Sequence, residues 1–131
     1  MRAASVISPS FRRRDRRGIL VEMLNDGRWA SVLCGRMKAG AVMGNHYHKR
    51  TEVFFFLTSG SAEVVCRPVG GATPRSRRCA IRAHEGVWLR AGTAHAIRFT
   101  RPSAFVMLKS RRYRPSQPDT YASFVLNGAS A

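Results

Sequence analysis

Turn signals recur along this chain about every ten residues, and the stretches between them are short and extended in pattern. Asn25-Asp26-Gly27, Lys38-Ala39-Gly40, Ser59-Gly60-Ser61, Gly70 to Pro74, His84-Glu85-Gly86 and Ala91-Gly92-Thr93-Ala94 are the breaks. Between them lie runs such as Ile19 to Leu24, Trp29 to Met37, Val53 to Leu57, Ala62 to Pro68 and Arg78 to Arg82. Val87 to Leu89, His95 to Thr100 and Ala104 to Lys109 complete the series. No window of eleven or more residues carries a helical period with caps. The pattern predicts an all-β antiparallel sandwich or barrel of about eight to ten short strands.

A chain of 131 residues with 44% apolar and 23% charged residues suffices for one domain with its own core. Residues 1–17 read as a loose basic arm, 18–126 as the barrel domain and 127–131 as a tail. No segment approaches the apolar length of a membrane span, and the N-terminus lacks the apolar block of a secretory signal. Cys34, Cys66 and Cys79 are an odd set without a CxxC pair, which reads as reduced thiols. The expectation is a cytoplasmic protein with no membrane partner.

The net charge of +16 comes from twenty arginines and three lysines against seven acidic residues. The densest run, Arg12-Arg13-Arg14 with Arg16 and Arg17, could neutralise phosphates. No recognition helix or set of stacking aromatics accompanies it, so nucleic acid is not the expected partner. A solvated arginine-rich surface is the plainer reading. A field that attracts a small anionic substrate is the third.

Three histidines and one carboxylate carry the chemistry. His46 and His48 stand two apart on an extended segment, so both point to one face. Glu52 is an even step beyond and shares that face if the strand stays regular. His95 follows the Gly92-Thr93-Ala94 turn and can meet them from a paired strand. Imidazoles with one carboxylate make an N/O site for one divalent ion, Zn, Fe, Mn, Ni or Cu, with positions left open. The blander alternative is a pair of surface histidines beside a strand-edge charge. His84, next to Glu85 in a turn, reads as a solvated residue.

These residues resemble a known family. Gly40-x5-His46-x-His48-x3-Glu52-x7-Gly60 is similar to the first signature of the cupins, and Gly92-Thr93-Ala94-His95 to the end of their second. The resemblance implies a single-domain cupin jelly-roll β-barrel with one metal at its mouth, held by His46, His48, Glu52 and His95. The Glu52–Gly60 spacing is one longer than usual, and Glu85-Gly86 and Arg90 replace the usual Gly-Asp and proline. Within the superfamily, Asp15 to Glu22, Gly44 to His48, Thr51-Glu52-x-Phe54 and Pro118 to Tyr121 resemble one group more closely. It is the C-terminal cupin domain of bifunctional UDP-sugar epimerase/reductases of capsular polysaccharide synthesis. That implies C3 epimerisation of a 4-keto nucleotide sugar; the sequence has no GxGxxG for the reductase half.

The expected activity is therefore a metal-dependent epimerase or isomerase of a keto sugar or related carbonyl compound. An Fe(II)-dependent oxygenase or other tailoring enzyme is the alternative, and a non-catalytic binding module a further one. Acid–base candidates are Tyr113, Tyr121 and Glu22. Arg36, Arg50 and Arg90 are candidates for a substrate phosphate. Phe54 and Phe56, in phase with Glu52, are candidates for a dry wall. Phe55 is out of phase with them and is the candidate to face a partner in a homodimer.

Overall fold

The structure, a computed structural model, describes residues 5–70 and 75–126. The 127–131 tail and residues 71–74 of the predicted Gly70 to Pro74 loop lie outside the described residues. Among the described residues there are twelve strands and no helix. They are β1 (Val6–Ile7), β2 (Phe11–Asp15), β3 (Gly18–Glu22), β4 (Ser31–Met37), β5 (Val42–Tyr47) and β6 (Val53–Ser59). After these come β7 (Ser61–Pro68), β8 (Arg77–Arg82), β9 (Gly86–Leu89), β10 (Thr93–Phe99), β11 (Ser103–Lys109) and β12 (Tyr121–Ala122).

Ten of these strands form two five-stranded antiparallel sheets, ordered β1-β9-β6-β11-β4 and β12-β5-β10-β7-β8. They face one another as a jelly roll, and each keeps open outer edges, so the predicted barrel is not closed. Alternation along β6 sends Val53, Phe55 and Leu57 into the shared core, where they meet Val64, Ile97, Phe99, Phe105 and Met107. Phe55 lies 5.1 Å from the Phe105 ring and 6.1 Å from the Phe99 ring. Each such side chain contributes roughly 1.5–3 kcal/mol by leaving water.

This corrects the expectation for Phe55, which is fully buried at the centre of the core and faces no partner. Phe54 and Phe56 occupy the opposite face of β6, stacked on each other, with Phe54 edge-on to Trp88 and Phe56 stacked on His84. They too are buried, because β9 brings Gly86 and Trp88 over them.

Of the predicted basic arm, residues 1–4 lie outside the described residues and much of the remainder is paired. β1 adds to β9, and β2 folds back on β3 with Asp15 opposite Gly18 across the Arg16-Arg17 turn. The boundary expected after residue 17 thus falls inside a two-stranded hairpin.

Candidate functional site

The site is built where β5 meets β10. His46 lies directly opposite His95 in the register of the two strands. The ladder shifts between His95 and Ala96, and Asn45 takes up the extra residue in left-handed conformation, φ 58°. Gly44, at φ 96°, permits the close approach: a Cβ there would sit 2.7 Å from the His95 carbonyl oxygen. Asn45 also ties down the C-terminal segment. Its Oδ1 accepts from the backbone N–H groups of Val125 and Leu126, and its Nδ2 donates to the Leu126 carbonyl.

His46, His48 and His95 form one cluster, with one potential ligand atom from each lying within 4.8 Å of the others. Ring centroids are 4.8 Å apart for His46 and His95, 4.9 Å for His46 and His48, and 5.5 Å for His48 and His95. His48 Nδ1 is 2.8 Å from the Asp119 carbonyl oxygen, and His95 Nδ1 is 3.3 Å from that of Thr93. A carbonyl only accepts, so both Nδ1 atoms carry the proton and both Nε2 lone pairs are free. Carbonyl-anchored imidazoles of this kind fit a divalent ion. Burial disfavours their charged forms: His46 is pushed down to about 4 and His95 to about 3, the latter aided by its histidine neighbours.

Glu52 is not brought into this cluster. Its carboxylate accepts from Trp88 Nε1 at 2.8 Å, Arg90 at 3.1 Å and the Ala91 backbone N–H at 2.6 Å. Burial alone would raise its pKa, yet these donors hold it below the usual value. Parity fails because the chain from Lys49 to Thr51 is not a strand. It wraps around the Asp119 carboxylate, which accepts from the backbone N–H groups of Lys49, Arg50 and Thr51 and from Thr51 Oγ1. Glu52 thereby shares its face with Phe54 and Phe56, on the side of β6 turned away from the histidines.

The histidines line a cavity of about 190 Å³ whose apolar wall includes Val53, Leu89, Ile97, Phe105 and Met107. Phe54 and Phe56, expected to supply that wall, do not line it. A second depression of about 310 Å³ shares His48 and Lys109 with the cavity and is bordered by Arg111, Arg112, Tyr113 and Arg114.

The remaining predicted residues are dispersed. Glu22 is exposed and bonded to Ser10, and Arg36 is exposed on β4. Arg90 stands over the Trp88 ring in its pair with Glu52. Tyr121 stacks on Tyr47 at 5.3 Å, and Lys49 sits over its ring. Arg50 and Tyr121 border a third surface depression and not the histidine cavity. His84 stacks on Phe56, away from the cluster.

Sequence reasoning missed two residues of the site. Lys109, at the end of β11, lines the cavity; the signal was its even spacing from Phe105 and Met107. Asp119 had no signal beyond its place in the Pro118 to Tyr121 resemblance.

Comparison with known proteins agrees with this architecture. The model of the family described as polysaccharide biosynthesis C-terminal domain matches residues 13–121. No curated protein matches the sequence. Among solved structures, the dTDP-4-dehydrorhamnose 3,5-epimerase from Sulfolobus tokodaii has a TM-score of 0.74 at 19% identity, over 85% of this chain and 72% of its own. The 3'-monoepimerase ChmJ from Streptomyces bikiniensis, in complex with dTDP-quinovose, gives 0.77 at 22% identity over 91% and 68%. The capsular polysaccharide assembling protein CapF from Staphylococcus aureus gives 0.64 at 24% identity over 88% of this chain. This chain spans 32% of the length of CapF. At these identities what is shared is the fold.

Proposed function

This chain belongs to the polysaccharide biosynthesis C-terminal domain family, and from that premise we propose that it epimerises a 4-keto nucleotide sugar at a divalent metal held by His46, His48 and His95. The observation that carries the reading is the three-imidazole cluster, with His48 and His95 buried and His46 half-buried, at the head of an apolar cavity. Two of the compared proteins are epimerases by name, which supports the same reaction class.

With a divalent ion bound, the site supplies a Lewis acid for a substrate carbonyl oxygen. The carbonyls of Asp119 and Thr93 fix the rings of His48 and His95 with Nε2 presented. Val53, Phe105 and Met107 keep the reacting carbons out of bulk water. The cavity accommodates the sugar, and the adjoining depression with Arg111, Arg112 and Arg114 suits the diphosphate. Tyr113 borders that depression. The open edge of β4, with Val32 and Leu33 exposed, supports a homodimer joined there. Cys34, Cys66 and Cys79, none of them in a disulfide among the described residues, fit a reducing cytoplasm.

The test is solvent exchange. Metal-loaded protein, incubated in D₂O with UDP- and dTDP-linked 4-keto sugars, should place deuterium at the carbon beside the keto group. No incorporation into any of them would overturn the reading.

A further inference from the structure

Lys109 is a cation lining the histidine cavity that the family resemblance leaves without a role. We propose that Lys109 is a catalytic residue: its side-chain N–H groups hold the oxygen anion that forms on a carbonyl substrate bound beside the histidines. For its substrate class this rests on the epimerase reading; for the anion site itself it does not.

Four observations converge. Lys109 ends β11 on the face of Phe105 and Met107, so the strand aims it inward. It also borders the adjoining depression that shares His48 with the cavity, so it stands between the histidines and Arg111, Arg112 and Arg114. It is half-buried, yet among the described residues its side chain makes no hydrogen bond or ion pair. Last, no carboxylate lines the cavity, because Glu52 is committed to Trp88, Arg90 and Ala91 on the other face of β6.

A half-buried cation without a counter-charge is unfavourable until an anion arrives. An apolar cavity holding three neutral imidazoles and one ammonium therefore favours a ligand that brings, or develops, negative charge on oxygen. Donors fixed before the charge appears are the most effective kind of stabilisation. Lys109 forms no covalent bond in this role: as water or hydroxide takes the proton from the carbon beside the carbonyl, the C–H electron pair passes to the carbonyl oxygen, and Lys109 donates a hydrogen bond to that anion. Its place at the junction of the cavity and the arginine-bordered depression puts it beside a substrate that spans both.

Oxalate, a planar dianion with adjacent oxygens, probes the anion site directly. Calorimetry should show oxalate binding to the protein as purified, weakened at least tenfold in K109M and within threefold of wild type in K109R, with metal content unchanged. Saturating oxalate should also protect Lys109 of the wild type from reductive methylation at least tenfold, read by peptide mass spectrometry; this needs no folded variant. Equal oxalate affinity in K109M, or no protection of Lys109, overturns the proposal. Deuterium exchange into 4-keto sugars, run in parallel, separates the two claims. Lys109-dependent oxalate binding without exchange ends the epimerase reading and leaves the anion site. Exchange that persists undiminished in K109M ends the catalytic assignment.

Discussion

His48 Nδ1 lies 2.8 Å from the backbone carbonyl oxygen of Asp119, so a segment 71 residues further along the chain fixes the tautomer of a site histidine. The same Asp119, in left-handed conformation at φ 52°, receives three backbone N–H groups and one hydroxyl on its carboxylate. One residue therefore sets both the ring of His48 and the path of the chain that leaves it.

Replacing that residue should be felt at the site. D119A leaves three N–H groups without their acceptor and should cost about 1–3 kcal/mol of stability. Denaturant unfolding measures the loss, and metal titration should show weaker binding in the same variant. Unchanged metal affinity would mean that His48 does not depend on this anchor.

Acid should destabilise the metal-free protein through the histidines. His46 is held near 4 and His95 near 3 in the fold, mainly by burial, against 6.5 for an exposed histidine. The unfolded chain therefore takes up protons first as pH falls. Stability is full above pH 6.5, declines from there through about 4 to 3, and levels off once the folded histidines are protonated. Asp119 extends the decline toward pH 2: its N–H and hydroxyl donors, outweighing burial, hold the carboxyl at about 2. Unfolding free energy measured between pH 8 and 4 checks the sign.

Gly44 should tolerate no side chain. G44A places a methyl 2.7 Å from the His95 carbonyl oxygen at a positive φ, so β5 must move away from β10. We expect a loss of about 1–3 kcal/mol and weaker metal binding, because the register opposing His46 to His95 is disturbed. Thermal unfolding and metal titration of the variant measure both.

The strands were legible because apolar runs and Gly-containing turns are local signals. Nearly every predicted run from Trp29 to Lys109 is a strand. Three things escaped, each for a non-local reason. The hairpin of β2 and β3 was hidden by its arginines, which pair across strands as readily as apolar residues do when the faces are exposed. Glu52 was placed with the histidines by parity, but parity holds only along an extended chain, and the Asp119 carboxylate folds residues 49–51 from a distance of 68 residues. The aromatic triplet Phe54-Phe55-Phe56 was assigned its faces by that same parity. Its phase with Glu52 was right, and the side of the sheet it faced was wrong. His46, His48 and His95 needed only an extended segment, a paired strand and a turn, and these survive local irregularity.

The central claim is that three histidines, and not the carboxylate, hold one divalent metal ion. Elemental analysis of wild type, H46A, H95A and E52Q after equal metal loading and desalting tests it most directly. One equivalent is expected in wild type and in E52Q, with E52Q losing only stability, and little or none in H46A and H95A. A full equivalent retained by H46A or H95A, or its loss in a folded E52Q, would contradict it.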